Sequence, residues 1–576
     1  MSTRSPVLIV GAGPAGLVLA LTLVQNGVPV RLIDKLTKFH SGQRGAGVMP
    51  RTMEVYEFLG VLPDALKAGA VAMKMRAHEV GGGLKVLKEI DMPCPPMLPT
   101  PSCPRLHAYM LGQCNAEHIL RSHLANYGCK VELGSELKSF EQFDDRVVAH
   151  IVKTDADGRE TEENVTADWL VGTDGGKGIV RKQLGLSFLG ETREDQLVLG
   201  EVRIEGIDNE FWHSWGDFST NTLALRPTER PDVSWMIAGG LQTDHDKIAS
   251  DPNALAEYIH RVTGMPELKL VEIINLSHYR FNIRMVDKFG DGRVFVAGDA
   301  AHVHSPTGGQ GMNSSVMDAF NLGWKLSLVC KNLSPSSLLS TYTEERLPVI
   351  AQMLKTTTAL LNTVSTGGFK AMGDNQATNQ PGVRTTSLFQ LSVNYRWSSI
   401  VVDEYNGGSK ESKGERGTLE GQDAVGLVDP HEHLRVRAGD RAPDAPGLVA
   451  FKGSPTSSPT MSLFQTFKAT HHTILIFVPT VQDSEPTLKQ IKQYPKGLVS
   501  SVVMPSTRAF RLPTDEPLAC DADFVLKDSD GYAFAGYSVD RKEMKLVVVR
   551  PDGVVGAMVR NVEGLKGYFK KILSNA

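Results

Sequence analysis

The sequence predicts an α/β protein with a parallel sheet near its N-terminus, an antiparallel sheet inserted later, and a smaller α/β domain at its C-terminal end. Three observations predict this class. Residues 6–10 form an apolar run that ends in a glycine-rich turn and continues into an apolar helix over 17–24. Residues 201–279 show a β-rich pattern with many aromatics. Two apolar runs, 544–550 and 554–559, flank an Asp-Gly pair that is typical of a hairpin turn.

Composition and length limit the classes of function and the number of domains that the chain can have. With 61 Lys+Arg against 65 Asp+Glu in 576 residues, the net charge of -4 lacks the basic excess expected of a nucleic-acid binder. At about 150 residues per domain, the length indicates two to four domains.

Membrane and metal functions find no support in the sequence. The longest apolar stretches, such as residues 473–478, fall far short of the roughly 20 residues that a membrane helix needs. The 6 cysteines include no C-x-x-C pair, and His302 and His304 have no third ligand at useful spacing, so we expect neither a disulfide framework nor a metal site. We therefore expect no membrane or nucleic-acid partner and a cytoplasmic location.

The first glycine-rich turn carries the strongest motif. Gly11, Gly13 and Gly16 fit G-x-G-x-x-G, where the glycines allow a tight turn, backbone approach to a pyrophosphate, and close helix–strand packing. The next strand, 28–33, ends at Asp34, where a carboxylate can bind a ribose diol. This context predicts a Rossmann-like dinucleotide site, but it leaves open whether the nucleotide is FAD or NAD.

A second loop favours FAD. A strand over 294–297 ends at Gly298 and Asp299, which can accept a hydrogen bond from a polyol. A glycine cluster over 305–313 then opens a helix near Gly311, whose amides would stabilise negative charge on a ring carbonyl. Reduced flavin carries its charge around such a carbonyl.

At this point the chain resembles the class A FAD-dependent aromatic hydroxylases, and its last third resembles the phenol hydroxylase subgroup, which carries a thioredoxin-like domain. Three motifs carry the resemblance: the loop 11–16, the Asp-Gly segment 170–176 with Val180-Arg181, and the Gly-Asp segment 298–313. The segments 318–326 and 342–348 match the family's next two helices. The likeness is strong over about the first 360 residues.

The resemblance implies FAD as cofactor, NADPH or NADH as reductant, and O2 as co-substrate. It implies hydroxylation of an activated phenolic ring through a flavin C4a-hydroperoxide, and a homodimer. The residues it assigns to the cofactor, together with their neighbours in the same loops, are Gly11, Ala12, Gly13, Pro14, Ala15, Gly16, Asp34, Lys35, Arg44, Gln113, Asp174, Asp299, Gly309, Gly311, Met312 and Asn313.

The catalytic residues are less clear, because phenol hydroxylases place an aspartate after the arginine matched to Arg44 and this chain has glycine and alanine there. The candidates are His213, Trp235, Tyr279 and Pro306. His213 is either a base near the substrate or a packed histidine, and Trp235 and Tyr279 either line an aromatic pocket or pack in the sheet.

The predicted domains follow from these assignments. The FAD-binding domain comprises 1–190 and 285–365, the substrate-binding sheet 191–284 with part of 74–110, a polar linker 366–430, and the thioredoxin-like domain 431–576. Two other functions stay open: another flavin-dependent oxidation, such as epoxidation or a Baeyer–Villiger reaction, and a flavin-binding sensor or scaffold without turnover.

Overall fold

A computed structural model of the chain describes residues 5–91, 98–367, 388–405, 435–453, 460–506 and 520–574. The most polar part of the predicted linker, 406–421, lies outside the described residues, as does 92–97 of the proline-rich segment. In the part of the chain that the structure covers, none of the helices combines the length and apolar character needed to cross a bilayer.

The described residues form strands and helices throughout. The strands are β1 Ser5–Val10, β2 Val30–Ile33, β3 Gly47–Val48, β4 Ala70–Val71, β5 Met75–His78, β6 Val86–Ile90, β7 Tyr109–Met110, β8 Val131–Glu132, β9 Ser135–Gln142, β10 Val147–Thr154, β11 Glu160–Gly172, β12 Phe188–Glu205, β13 Trp212–Gly216, β14 Thr222–Pro227, β15 Val233–Gly239, β16 Lys269–Val286, β17 Gly290–Asp291, β18 Val294–Val296, β19 His302–Val303, β20 Val402–Asp403, β21 Leu448–Lys452, β22 Thr460–Met461, β23 His472–Val478, β24 Val499–Pro505, β25 Phe524–Lys527, β26 Lys545–Val549 and β27 Val555–Val559. The α-helices are α1 Pro14–Gln25, α2 Pro50–Phe58, α3 Leu62–Ala68, α4 Gln113–Ala125, α5 Ile179–Gln183, α6 His245–Ser250, α7 Pro252–Thr263, α8 Gln310–Cys330, α9 Ser340–Gly367, α10 Glu485–Ile491, α11 Tyr532–Gly536 and α12 Val562–Ile572.

The first sheet has the strand order β17-β18-β11-β1-β2-β8, with β10 and β9 continuing from β11. Strands β2, β1, β11 and β18 are parallel. Their carboxyl ends therefore lie at one edge, and the loops after β1, β2, β11 and β18 meet there. The strand, turn and helix predicted at the N-terminus are thus confirmed as β1, loop and α1.

The second sheet has the order β19-β16-β12-β15-β14-β13-β5-β6, and its neighbours are antiparallel except for the pair β13·β5. This confirms the inserted antiparallel sheet. One face packs against α7, with Trp215, Leu225 and Met236 in one buried cluster with Leu255 and Ile259. The opposite face turns toward the first domain.

The C-terminal sheet has the order β20-β27-β26-β23-β24-β25-β21-β22. Strands β23, β24 and β25 are parallel, and β26 and β27 form the hairpin predicted around the Asp-Gly pair. The mixed α/β character agrees with the sequence, whereas the thioredoxin-like assignment stays a prediction.

The predicted linker needs correction. Residues 388–405 are packed rather than extended, since Phe389 and Tyr395 are buried and β20 pairs with β27. Tyr395 accepts a hydrogen bond from the buried Arg346 at 3.1 Å. Tyr395 and Trp397 pack beside Val349 of α9, and Gln390 donates to Gln310 and Ser314 of α8. The polar residues further along the chain hid these contacts in the sequence.

Buried charges join the C-terminal sheet to the first domain. Arg550, which follows β26, binds Glu345 of α9 through both guanidinium ends at 2.7 and 2.9 Å, and Lys325 of α8 binds the same carboxylate at 2.8 Å. All three side chains are fully buried. Burial would raise the pKa of Glu345, but Arg550 and Lys325 hold it far below its ordinary value. These buried ion pairs therefore hold the C-terminal domain against α8 and α9, the two helices that follow the Gly-Asp loop.

Candidate active site

The first glycine loop has the geometry that a pyrophosphate requires. Gly11 has a φ of +105°, and Thr173 Oγ1 donates to its carbonyl at 2.6 Å. A Cβ at Gly16 would lie 2.8 Å from Thr173 Oγ1 and closer still to the Gly11 carbonyl, so helix and strand touch there. A Cβ at Gly13, by contrast, would meet nothing within 4 Å. The backbone at Gly13 is therefore open to a ligand in front of the N-terminus of α1.

Asp34 closes this loop at the end of β2. One carboxylate oxygen accepts the Ala12 amide at 2.8 Å, and the other accepts the Leu36 amide at 2.9 Å. Both oxygens keep lone pairs for a ribose diol. Ala12 and Ala15 are buried in the turn, while Lys35 is exposed beside Asp34.

Asp318 of α8 holds the Gly-Asp loop that follows β18. This buried carboxylate accepts the Gly298 amide at 3.1 Å, His302 Nε2 at 2.7 Å and Arg346 Nε at 2.8 Å. Burial would raise the pKa of Asp318, but Arg346 and His302 lower it. The pairing fixes the position of Asp299, the next residue along the loop.

Asp299 follows the carboxyl end of β18, and its side chain is exposed there. We call the space in front of this edge of the sheet the cleft. The surrounding protein raises the pKa of its carboxyl by desolvation, while His302 and Arg44 oppose that rise. Burial raises the pKa of Glu117, whose carboxylate accepts a hydrogen bond from Gln113 Nε2 at 2.9 Å, while Gln113, Arg121 and Arg44 oppose that rise. Arg44 therefore lies near both Asp299 and Glu117, and the assignment of Arg44, Gln113 and Asp299 to the cofactor stays a prediction.

The Asp-Gly segment is placed differently. Asp174 turns its carboxylate to the start of α5 and accepts the Val180 amide at 3.1 Å, so its visible contact is with a helix rather than with the cleft. Arg181 donates to the Gly176 carbonyl at 2.7 Å and to the Ala300 carbonyl at 3.0 Å. Arg181 therefore ties the Asp-Gly segment to the Gly-Asp loop, a role that the sequence did not reveal.

The N-terminus of α8 supplies the remaining donors. Gly309 has a φ of +63° at the N-cap, and the helix runs for 21 residues from Gln310. The side-chain oxygen of Asn313 accepts a hydrogen bond from the Met49 backbone N–H at 2.8 Å, and its side-chain nitrogen donates one to the Gly47 carbonyl at 2.8 Å. This side chain therefore joins α8 to β3. Met312 is half-buried against the core. The donors available to a ring at this point are consequently the backbone amides of the first helical turn.

The loop between β19 and α8 touches the substrate sheet through Tyr279. Its hydroxyl donates to the His304 carbonyl at 3.1 Å, and burial raises the pKa of Tyr279 to about 12. Pro306 is exposed, and its carbonyl accepts the Gly309 amide at 3.1 Å, which closes the turn before α8. Tyr279 thus fixes the loop that carries Pro306 against the sheet.

The face of the substrate sheet that turns toward the first domain has three rows of side chains, which we call the cleft face. The first row holds Leu197 and Tyr279, and the second holds Leu199, Ser277, Ile237, Ala224 and Ser214. The third row holds Asn275, Glu201, Trp235 and Arg226, with Trp212 beside Arg226. Its centre is apolar and its third row is polar and aromatic.

The third row meets the loop 40–45. Trp235 Nε1 donates to the Gln43 carbonyl at 3.1 Å, and the Gln43 side chain binds both Arg226 and Glu229. The guanidinium of Arg226 lies 5.3 Å from the Trp235 ring centre. Trp235 and Tyr279, predicted as pocket residues, therefore stand at opposite ends of one face.

The position of His213 does not support its predicted role as a base near the substrate. It lies on the opposite face of the sheet, where its Nδ1 contacts His78 Nε2 at 2.9 Å and its ring stacks near Trp215. Asp208 contacts its Nε2 at 3.2 Å, and burial lowers the pKa of His213. Strand periodicity puts Trp212 and His213 on opposite faces, and the sequence did not show which face the cleft uses.

The described residues contain no group of three His, Cys, Asp or Glu side chains that could hold a metal ion. The two nearest candidates have other partners, since His302 binds Asp318 and the Nδ1 of His304 donates to the Ser305 carbonyl at 2.5 Å.

Comparison with known proteins agrees with this geometry. Residues 4–357 match the family described as FAD binding domain, and residues 451–576 match the phenol hydroxylase C-terminal dimerisation domain. A flavin-dependent monooxygenase from Mycobacteroides abscessus is 34% identical over 494 residues, which cover 83% of this chain and 90% of that one. The chain belongs to the FAD-dependent aromatic monooxygenases.

Other proteins are similar to this monooxygenase over most of their length. Pentachlorophenol 4-monooxygenase from Sphingobium chlorophenolicum is 27% identical over 523 residues, with 87% of each chain covered. Among solved structures, the aklavinone-11 hydroxylase complex with FAD and aklavinone is similar in fold, with a TM-score of 0.75, 23% identity and full coverage of both chains. The protein is accordingly an enzyme with FAD as its cofactor.

The residues of the site fit FAD. The open backbone at Gly13, the Asp34 carboxylate at the strand end, and the cleft shared by Arg44, Gln113 and Asp299 suit the pyrophosphate, ribose and ribityl groups in turn. Sequence reasoning missed the supporting residues Asp318 and Arg346, although both lie in segments that match the family's helices. Neither residue shows its role in sequence, because the partners meet only through the packing of α8 and α9.

Proposed function

We propose that this monooxygenase inserts one atom of O2 into an activated phenolic ring, with NADPH or NADH as reductant. The observation that carries the proposal is the meeting of two elements at one cleft. The first turn of α8 lies on one side, and the aromatic cleft face lies on the other, joined by the hydrogen bond from Tyr279 to the His304 carbonyl. A flavin ring at the helix and an aromatic substrate on the sheet would face each other there.

The protein's own residues have three tasks in this reaction. The first-turn amides of α8 would stabilise negative charge on the reduced flavin, which supplies the oxygen-transfer chemistry when bound. Leu197, Leu199 and Ile237 provide an apolar surface that excludes water from a bound ring. Trp235 and Tyr279 limit the ring at the two ends of the face. The route through a flavin C4a-hydroperoxide stays a prediction from the family resemblance.

The named substrates of two relatives support a substrate with several fused rings. Relatives include 6-methylpretetramide 4-monooxygenase from Streptomyces rimosus and aklavinone 12-hydroxylase from Streptomyces purpurascens. We infer a fused-ring phenol for this enzyme as well.

A substrate panel tests the proposal. Single-ring and fused-ring phenols are added to the purified holoenzyme with NADPH or NADH, and reductant oxidation is followed together with product mass. We expect faster reductant oxidation with fused-ring phenols and a product heavier by one oxygen atom. Reductant oxidation without an oxygenated phenol would contradict hydroxylation, and no stimulation by any compound would favour the sensor or scaffold.

An epoxide or a ring-expanded lactone among the products of this panel would favour the other flavin-dependent oxidations. The match of residues 451–576 to a dimerisation domain supports a homodimer, which light scattering on the purified protein would test.

A further inference from the structure

The cleft face carries one carboxylate in its three rows, that of Glu201. The loop that follows Arg44 offers no acidic residue, since Gly45 and Ala46 stand there. We propose that Glu201 is a catalytic residue that accepts the proton of the substrate's phenolic hydroxyl. This assignment rests on the proposed function and adds the base that the sequence did not reveal.

Glu201 is positioned for this role by the third row. It lies directly across from Trp235 on β15 and from Asn275 on β16. Its Oε2 accepts Asn275 Nδ2 at 2.9 Å and Arg230 at 3.0 Å. Its Oε1 has no protein partner among the described residues. One oxygen therefore holds the carboxylate in place, and the other is free to accept a proton.

The first domain approaches this carboxylate closely. Gly42 has a φ of +100°, and a Cβ there would lie 2.9 Å from Glu201 Oε2. The side chain of Glu201 is 2% exposed, so the loop 40–45 and the sheet cover most of it. Since Arg44 of the same loop shares a cleft with Asp299, Glu201 stands at the junction of the cofactor loops and the cleft face.

Several charges surround Glu201. A buried carboxylate is costly unless cations and donors compensate it, and two arginines do so here. The charged and titratable groups that face it are Arg226 on β14, Glu229 and Arg230 in the loop after β14, His40 and Arg44 in the loop 40–45, and Cys114 on α4.

The phenolic O–H bond breaks, its proton moves to Glu201 Oε1, and its electron pair stays on the ring system. A ring carbon then bonds to one oxygen atom of O2 as the O–O bond breaks, and the other oxygen atom leaves as water with the two electrons that NADPH or NADH supplies. The hydroxylated ketone form loses its ring hydrogen to solvent as a proton, and Glu201 returns its proton to the ketone oxygen as the ring becomes aromatic again. The carboxylate ends in its starting state, and general base assistance of this kind contributes about 10²- to 10⁴-fold.

The test compares two phenols in the variant Glu201→Gln. Glutamine keeps the shape of the side chain and an oxygen that can accept the hydrogen bonds from Asn275 and Arg230. The probes are 1-naphthol, which is protonated at neutral pH, and a polyfluorinated 1-naphthol, which is already ionised. We expect hydroxylation of 1-naphthol to fall at least about 100-fold, with reductant oxidation diverted to hydrogen peroxide. Hydroxylation of the ionised probe should stay close to wild type.

The matched control is Glu272→Gln, an exposed residue that pairs with Arg203 at the rim of the same sheet. It should leave both rates unchanged, and the FAD content and thermal midpoint of each variant report whether it folds. An equal loss with both probes, or no loss with 1-naphthol, would overturn the assignment of Glu201. If the wild-type enzyme hydroxylates neither probe nor any phenol of the panel, the proposed function itself fails.

Discussion

Alanine at Gly13 and at Gly16 should produce opposite phenotypes, although both glycines belong to one motif. Gly16 is a packing glycine, because a Cβ there would lie 2.8 Å from Thr173 Oγ1 and would press on the Gly11 carbonyl. Gly13 is a ligand glycine, because a Cβ there would meet nothing within 4 Å. Its φ of -75° is also one that alanine adopts without strain.

The magnitudes follow from these contacts. Overpacking at Gly16 costs about 1–3 kcal/mol, and the better helix propensity of alanine returns about 1 kcal/mol. Because that Cβ would press on the Gly11 carbonyl, the cost lies at the upper end of this range, a net loss of about 2 kcal/mol. We expect Gly16→Ala to lower the thermal midpoint of the FAD-free protein by roughly 4–8 °C, taking about 2–4 °C for each kcal/mol. Gly13→Ala should change that midpoint little. It should instead lose about 1.5–3 kcal/mol of FAD binding, the value of hydrogen bonds to a charged group, or roughly 10- to 150-fold in Kd.

Two measurements separate the effects. Thermal unfolding of the FAD-free variants reports packing, and flavin fluorescence titration reports affinity. Wild-type FAD affinity in Gly13→Ala would refute the placement of the pyrophosphate over Gly13. Full stability of the FAD-free Gly16→Ala protein would refute the tight contact of α1 with Gly11 and Thr173.

Three further predictions concern the domain junction. Arg550→Met leaves Glu345 buried without its bidentate partner, so we expect a loss of about 3–5 kcal/mol in unfolding free energy by urea titration; an unchanged midpoint would contradict the role of this pair. His472 is fully buried against Trp324, and burial lowers its pKa to about 3. Below pH 6.5 the unfolded chain protonates this histidine and the folded chain does not, so the free energy of unfolding falls as pH falls toward 3. His472→Phe removes this effect and should reduce the acid-dependent loss of unfolding free energy by about 3–5 kcal/mol. Parallel pH profiles of stability for the two proteins would contradict this prediction. A chain truncated after residue 367 should fail to accumulate with bound FAD, because Glu345 would lose Arg550; a yellow, monomeric product would argue against this coupling.

Local signals made much of the first domain predictable. The glycine spacing, the apolar run before it and the acidic residue after β2 all act over short sequence distances, and the structure places Asp34 on the Ala12 amide. The hairpin between β26 and β27 was predictable for the same reason, since Asp-Gly favours the turn on its own.

The supporting contacts were not predictable, because they depend on packing between distant segments. Asp318 holds the Gly-Asp loop from 20 residues away, and Arg181 reaches Ala300 across the fold. Alternation along β13 predicts two faces without showing which one turns toward the cleft, so the sequence leaves His213 as a possible base and gives no signal for Glu201. A buried glutamate in a strand has no sequence signal of its own, since burial comes from the loop that covers it.

Oxygen-18 labelling tests the central claim most directly. The holoenzyme is incubated with NADPH or NADH and the phenol that most stimulates reductant oxidation, once under ¹⁸O2 in ordinary water and once under ordinary O2 in H2¹⁸O. We expect one ¹⁸O atom in the phenolic product from the gas and none from water. Label that comes from water, or a product without label under ¹⁸O2, would contradict a flavin-dependent monooxygenase reaction at this cleft.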